Sequence, residues 1–509
     1  MSCLGGETRV STYYTCLSFQ LLQGIRSSLD SLTMCQFRNS KPLFLIVLFA
    51  AALRVAGQQP DLDTFGGWKG KSFEATGYFR MESGEDRWWL VSPEGNGFLI
   101  HGMDHCGSYV TGQSYNKEYW NQEWGLKNPS QAERTEAFYN QKVAQDRDYL
   151  GFNSVYSHQA PVGMNVVPYL PRARSVDIEY WRTHKLRKQN PPWSEENFLD
   201  VFSDAFVEKV NQTAQKMQDE KRVDDPWLLA WLLTDSPVLV PYEARPFPPG
   251  FYHKPLPGTT TWPVRLRNLG ASTPGKQAYV ELMRSRYGNR IQSFNAAYNT
   301  AFDSWEALAE AKDWRSVIDI QGNIHEERDN HAFLLKILDK SWGTQVKILQ
   351  ARDPNHMIWG DTLNMNSPIT DDIIRMYAKH FPVIVYQYYG ATWEDHERVM
   401  DRFRRLTNKP IFSADSSWSV PQPPEMPDPL GPQCANYEVA ADRMEEVYNK
   451  SFARPDFIGW GWCGWMDQWE SAEPVKQHGG LQDAFGNWHQ PLADRMAKFG
   501  KEMYSIAQP

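Results

Sequence analysis

Residues 226–235 read PWLLAWLLTD, an apolar run of strand length that stops at the carboxylate of Asp235. Amphipathic stretches of helical length separate most of the similar runs in the chain, which is the order expected of repeated βα units. Those runs lie at 98–102, 151–155, 167–170, 355–361, 382–386, 409–415 and 457–462. Eight strands in this order predict an α/β fold, a (β/α)₈ TIM barrel with its active site at the C-terminal ends of the strands.

The segments that flank the predicted strands complete this architecture. Residues 87–91 and 98–102, joined by a turn at 92–97, predict an N-terminal β-hairpin that leads into the first barrel strand. A long helix is predicted at about 198–220, and residues 242–275, rich in Pro, Gly and Thr, predict a long loop over the C-terminal face. We find no internal repeat, and residues 58–509 are interpreted as one barrel domain.

The N-terminal segment has the features of a secretory signal. The apolar run 43–53 follows Arg38 and Lys41 and precedes small residues at 55–57, and it is too short for an ordinary membrane span. Translation from Met34 would give a signal peptide of normal proportions, so residues 1–57 are interpreted as an extension plus a signal peptide, and the protein is expected to be extracellular. An uncleaved signal anchor is the alternative.

Composition narrows the choice of partners. The net charge of −8 gives no reason to expect nucleic-acid binding, and no later segment is apolar enough to place the mature chain in a membrane.

Cys106, Cys434 and Cys463 remain after the signal, so at most one internal disulfide is expected. No Cys/His cluster has zinc spacing, and neither a metal nor an organic cofactor is expected. Asn211 and Asn449 begin glycosylation sequons.

Two predicted strands end in carboxylates, Asp235 and Asp415. Breaking a glycosidic bond requires two carboxyl groups across a cleft, one to protonate the leaving oxygen and one to attack the sugar or activate water. Glu243, further along the loop after Asp235, is a second candidate for the acid. Each strand-end Asp taken alone could equally be a loop-capping residue, but the pair favours a glycoside hydrolase.

Aromatic residues make up 14% of the chain, with 21 Trp, and sugar-binding clefts use such rings because the apolar face of a pyranose stacks on them. Trp418 and Trp465 lie beyond their strands and are favoured as cleft residues. Trp460 and Trp462 could instead fill the barrel core, and each His could be structural. The candidate substrate-binding residues are Asp104, His105, His158, Asn364, Tyr386, Gln387, Tyr388, Trp418, Trp462, Trp465 and Asp467.

Several motifs, in order along the chain, resemble β-agarase-like and β-galactosidase-like members of the large clan of retaining glycosidases with TIM-barrel folds. The resemblance covers about residues 64–505, nearly the whole mature chain, and suggests agar-type galactans as substrates. The matching motifs lie at 88–98, 150–153, 225–231, 353–356 and 476–483.

The resemblance implies a Glu acid/base after an Asn at the end of strand four, and a Glu nucleophile at the end of strand seven. In this chain Ser236 and Pro237 stand where Asn-Glu is expected, and Asp415 stands in place of the nucleophile. Three interpretations follow. Asp415 could be the nucleophile or base, with Asp235 or Glu243 as the acid, in a retaining or an inverting reaction. The protein could bind sugar without catalysis, or act as a polysaccharide lyase with Tyr386 or His158 as base.

Overall fold

The computed structural model describes residues 60–156, 164–178, 197–241, 261–315, 323–421, 431–469 and 479–508. Contacts between Cα atoms group Gln59–Pro509 into one compact unit. A small antiparallel sheet comes first, with the strand order β1-β4-β3-β2. Its strands are β1 (Trp68–Ser72), β2 (Arg80–Ser83), β3 (Trp88–Val91) and β4 (Asn96–Phe98).

The remaining eight strands are parallel and form a (β/α)₈ barrel, as the sequence predicts. Each predicted strand is present, shifted by a few residues at its ends. The barrel strands are β5 (Ile100–Asp104), β6 (Ser154–Tyr156), β7 (Tyr169–Leu170), β8 (Ala230–Asp235), β9 (Met357–Asn364), β10 (Ile384–Gln387), β11 (Ile411–Ser416) and β12 (Phe457–Trp462).

The helices that surround the barrel begin at the caps that their sequences provide. Thr392 and Asp395 form a capping box at the start of α11, and Ser203 caps α4, so the helix begins later than the predicted residue 198. The α-helices are α1 (Lys117–Glu123), α2 (Gln131–Ala137), α3 (Ala144–Leu150), α4 (Asp204–Asp219), α5 (Trp262–Arg267), α6 (Pro274–Arg286), α7 (Ile291–Tyr298), α8 (Trp305–Glu310), α9 (Ile324–Arg352), α10 (Asp371–His380), α11 (Trp393–Thr407), α12 (Tyr437–Phe452) and α13 (Leu492–Ile506).

The predicted loop at 242–275 is corrected in its second half, because helix α5 and the start of α6 lie there. Pro263 and Pro274 stand in the first turns of these helices, where proline is well tolerated, so the Pro content that suggested a loop marks helix starts instead. Residues 242–260 lie outside the described residues. Within the described ranges, no helix is long and apolar enough to cross a membrane.

The buried apolar residues form two clusters, one inside the barrel and one between its strands and the helices. Val385 and Phe412 belong to the cluster inside the barrel, whereas Tyr386 belongs to the larger cluster between the strands and the helices. Trp460 and Trp462 also belong to the outer cluster, where both pack against Tyr448 of α12. The interpretation that these two indoles fill the barrel interior is therefore corrected: they face the helices.

The barrel closes between β7 and β8, where the pairing is thinnest. The strand β7 has only two residues, and isolated parallel bridges join Tyr169 to Leu228 and Arg172 to Leu232. Backbone hydrogen bonds from Leu232 N to Pro171 O, 2.9 Å, and from Ala173 N to Leu232 O, 2.8 Å, complete the seam. We call residues 169–173 and 228–232 the closing seam.

Candidate active site

A polar or reactive side chain stands at or just after the C-terminal end of each barrel strand. Because successive residues on a barrel strand point alternately in and out, Ile100 and Asp104 share the inner side of β5, and Val385 and Gln387 that of β10. These side chains are buried. In strand order the members of this strand-end cluster are Asp104, Tyr156, Arg172, Asp235, Asn364, Gln387, Asp415 and Cys463.

Asp235 is held beside a buried cation. The guanidinium Nη1 of Arg172 lies 3.5 Å from Asp235 Oδ2, and both side chains are only 2% exposed. A register shift between Leu232 and Asp235 in the pairing of β8 with β9 marks a bulge, which re-aims the strand end. The guanidinium thus places a positive charge directly beside the Asp235 carboxyl group.

Ser236 occupies strained backbone directly after Asp235. Its φ angle is 44°, in the left-handed region that is uncommon for residues other than glycine. Its hydroxyl Oγ lies 3.1 Å from Asp235 Oδ1 and also contacts the side-chain oxygen of Gln387. The serine at the position where the family resemblance implies an asparagine therefore links two strand ends.

Asp415 stands three strands away from Asp235 around the barrel. Burial, followed by the negative charge of Asp235, raises the pKa of Asp415 to about 7. Hydrogen bonds from the thiol of Cys463 and from the hydroxyl of Tyr389, together with the charge of Arg172, oppose this pKa shift. Asp415 consequently retains a proton up to near-neutral pH.

Asp104 is the third carboxyl group of the cluster. Burial, followed by the charge of Asp415, raises the pKa of Asp104 well above its ordinary value, although its Oδ1 accepts a 2.6 Å hydrogen bond from the backbone N–H of His105. The imidazole Nδ1 of His105 lies 3.0 Å from the hydroxyl of Tyr109. Arg172 lowers the pKa of both Asp104 and Asp415, but one guanidinium cannot balance three buried carboxylates.

Two side-chain amides of the strand-end cluster have N–H groups that are available as hydrogen-bond donors. Asn364 Nδ2 and Gln387 Nε2 are fully buried and have no hydrogen-bond partner in the part of the chain that the structure describes. The oxygen of Asn364, in contrast, accepts a 3.0 Å hydrogen bond from the backbone of Asn366. A buried donor without a partner costs about 1–3 kcal/mol, so these amides are suited to a ligand rich in hydroxyl groups.

The side chains of Tyr386 and Tyr388 lie apart from the cluster. Tyr386 packs against Phe403 of α11, with ring centroids 5.0 Å apart, on the outer side of β10. The prediction that Tyr386 contacts substrate or acts as a lyase base is therefore corrected, since the strand alternation turns it away from the barrel axis. Tyr388 is half-buried against His396, and only its backbone oxygen contacts a strand end, accepting from Ser416 Oγ at 2.7 Å.

Three of the predicted cleft residues are packed behind the strand ends. Trp418 is 1% exposed and stacks on Trp460, with ring centroids 6.0 Å apart. Trp465 is completely buried and donates its indole N–H to Asp146 Oδ2 at 2.7 Å, and the indole N–H of Trp462 donates to a backbone oxygen. All three indoles belong to the outer apolar cluster between the strands and the helices.

Asp467 and the predicted modification sites have other surroundings. The carboxylate of Asp467 pairs with His489 at 2.7 Å and accepts a hydrogen bond from the backbone of Gly480. Asn211 and Asn449 lie partly exposed on α4 and α12, and glycosylation there stays a prediction. His158 and Glu243 lie outside the described residues.

The three cysteines that follow the predicted signal, Cys106, Cys434 and Cys463, are buried free thiols, so the one internal disulfide that their number allowed does not form among them. In the described ranges no group of three or more His, Cys, Asp or Glu side chains is arranged to hold a metal ion.

Sequence reasoning missed Arg172, Tyr156 and Cys463. Arg172 follows a strand of two residues and a proline, so it carries no periodic signal. Tyr156 and Cys463 are an aromatic and a thiol next to apolar runs, where both residue types are ordinarily core residues. One signal was available: Tyr156 and Cys463 each lie one residue beyond a predicted strand end, at residues 155 and 462.

No family model matches the chain. A comparison with curated proteins found β-agarase B of Vibrio sp. (strain JT0107), 20% identical over 398 residues, which covers 67% of this chain and 39% of that protein. The chain therefore spans well under half the length of this relative.

Solved structures show the same fold. An agarase, AgWH50C, superimposes with a TM-score of 0.67 and 16% identity, covering 93% of this chain and 72% of the other. An exo-β-agarase gives a TM-score of 0.68 and 14% identity, with coverage of 94% and 72%. At these identities the comparisons establish that this chain and agarases share a fold.

Proposed function

We propose that the protein is a glycoside hydrolase that cleaves O-glycosidic bonds in a galactan-type polysaccharide. The observation that carries the proposal is the pair Asp235 and Asp415. The two buried aspartates stand three strands apart at one end of the barrel, in environments that differ in charge. Two carboxyl groups placed across a cleft are what acid–base cleavage of a glycosidic bond requires.

The electrostatics favour Asp415 as the acid. Its raised pKa, about 7, keeps a proton on the carboxyl group, which is then available for the glycosidic oxygen of the leaving sugar. Asp235, whose carboxyl group lies 3.5 Å from the guanidinium of Arg172, is then the group that attacks the sugar or activates water. This assignment reverses the roles expected from the resemblance, where Asp415 occupies the position of the nucleophile.

The remaining members of the strand-end cluster suit sugar recognition. The unpartnered amide donors of Asn364 and Gln387 would bind hydroxyl oxygens of the sugar at the point of cleavage. The shared fold with agarases supports a carbohydrate substrate, and the curated relative is named for an activity on agar. The apolar segment at 43–53 supports secretion, which a polymeric extracellular substrate would require.

The test is release of reducing sugar by the purified protein from agarose, porphyran, carrageenan, β-galactans, β-glucans and uronic-acid polymers. Asp415→Asn should abolish release. Asp219→Asn is the control, because Asp219 is an exposed aspartate at the end of α4, away from the strand ends. Thermal unfolding of both variants separates loss of chemistry from loss of fold.

Equal loss of activity in both variants would remove Asp415 from the mechanism. No release from any substrate, with polysaccharide binding retained, would mean that the protein binds sugar without catalysis. An unsaturated uronic product, detected by its ultraviolet absorbance, would identify a lyase instead.

A further inference from the structure

Four aromatic side chains form a partly exposed surface near the first and last barrel strands. Tyr115 lies in the segment after β5, Tyr119 lies on α1, Trp469 lies seven residues after β12, and Phe485 lies in the following described segment. Tyr119, 38% exposed, is among the few large apolar side chains of the described residues with this much exposure. We call these four residues the aromatic ledge.

The rings of the ledge contact one another in sequence. Tyr115 stacks on Trp469 with centroids 5.6 Å apart and an interplanar angle of 25°. Trp469 meets Phe485 at 5.1 Å, and Phe485 meets Tyr119 edge-on at 5.3 Å. The result is a continuous row of rings rather than isolated exposed aromatics, which are common on protein surfaces.

Hydrogen bonds hold the ledge in place. The backbone N–H of Trp469 donates to the hydroxyl of Tyr115 at 3.0 Å. The carboxylate of Asp483 accepts from the backbone of Phe485 at 2.8 Å and thereby fixes its turn. Beneath it, the side chains of Asn116 and Trp120 donate to the backbone oxygen of Ala484 at 2.9 and 3.1 Å.

The turn that carries Phe485 requires a glycine at position 486. Its φ angle is 87°, and a Cβ atom there would lie 3.0 Å from the indole of Trp120. The turn that presents Phe485 therefore depends on glycine. The rings are preorganised, which lowers the entropy that a ligand must overcome on binding.

Two of the ledge residues lie on segments that leave barrel strands of the candidate active site. Cys463, which contacts Asp415, precedes Trp469 by only a short loop, and Asp104 precedes Tyr115 on the segment that leaves β5. The strands β5 and β12 are neighbours in the barrel, so both segments rise from the same side of its C-terminal face.

We propose that the aromatic ledge is a binding subsite for the chain of a polysaccharide, several sugar units away from the bond that is cleaved. The apolar C–H faces of successive pyranose rings would stack on Trp469, Phe485 and Tyr119, while their hydroxyl groups stay in water. The proposal rests on the proposed function, because it extends that site from a single sugar to a polymer.

The test uses native gels cast with agarose, porphyran, a β-galactan or a β-glucan, in which bound protein migrates more slowly. The background is Asp415→Asn, so that the polymer stays intact. We expect Trp469→Ala and Phe485→Ala to weaken retardation about five- to tenfold, the size of one or two aromatic contacts. Trp469→Phe, which keeps an apolar ring, should retain most of it.

Trp227→Ala is the matched control, because Trp227 is also partly exposed but lies before β8, at the opposite end of the barrel. Its retardation should equal that of the parent. Retardation that is the same in all variants, or absent in every gel, would overturn the ledge as a glycan subsite.

A second readout separates this proposal from the proposed function. In the active background, ledge variants should lower kcat/KM for long oligosaccharides and leave cleavage of a short aryl β-galactoside unchanged. Absence of cleavage by the unmodified protein contradicts the proposed function alone, whereas equal loss on both substrates contradicts the ledge.

Discussion

The phenol hydroxyl of Tyr389 lies 3.0 Å from Oδ1 of Asp415 and donates a hydrogen bond to it. This contact stabilises the ionised form of the carboxylate, whereas burial and the charge of Asp235 favour the protonated form. The protonation state of Asp415 is therefore set by a balance that a single side-chain hydroxyl can shift.

Tyr389→Phe removes this hydrogen bond and should raise the pKa of Asp415 by about one pH unit, the size expected for a hydrogen bond to a charged group. If Asp415 acts as the acid, the alkaline limb of the pH–rate profile should move to higher pH. If Asp415 is instead the nucleophile, the acidic limb should move. A profile in which neither limb moves would contradict an ionisable role for Asp415.

Asp415→Asn should change the dependence of stability on pH. The folded-state pKa of about 7 is above the unfolded value, so the group's contribution to stability is fully present below the unfolded pKa and is lost as pH rises through 7. Asn cannot ionise and avoids this loss. The melting temperature of the variant relative to the unmodified protein should therefore rise by about 2–4 °C between pH 5 and pH 8.

The control for this comparison is Asp219→Asn, a change at an exposed aspartate of α4. Its melting-temperature difference should stay constant over the same range. A constant difference for Asp415→Asn as well would show that its pKa is not raised in the folded protein.

Arg172→Met should destabilise the fold by about 3–5 kcal/mol, because it leaves the buried carboxylate of Asp235 without its cation. Arg172→Lys keeps the charge and should cost less. Adding Asp235→Asn to Arg172→Met should recover more than half of the loss, as measured by urea unfolding. Strictly additive effects of the two substitutions would argue that the pair does not interact.

The barrel was predictable because its strands are apolar runs of the right length and spacing. The sequence could not show which side of a strand faces inward, since both sides of a barrel strand are buried. Tyr386 and Trp462 illustrate this: they stand at predicted strand ends but lie on the outer side of β10 and β12. Both sides of such a strand are apolar, so the alternation of its residues does not reveal which side faces the barrel axis.

The sequence could place polar candidates where they stand at strand ends, as at Asp235, Asp415, Asn364 and Gln387, and their role in the reaction stays a prediction. Arg172 follows a two-residue strand with no pattern of its own. The ledge residues Trp469 and Phe485 lie in irregular segments, and only their contacts with one another distinguish them from the remaining Trp and Phe residues of the chain.

The ion pair between Arg172 and Asp235 also crosses the closing seam of the barrel. Arg172 lies on one side of this seam and Asp235 follows the other, so their ion pair spans the place where only isolated bridges pair the strands. An ion pair of the proposed catalytic site thus also joins the two edges of the barrel. Separation of the two edges at this seam would therefore also part Asp235 from Arg172, and the proposed site would be lost together with the closed barrel.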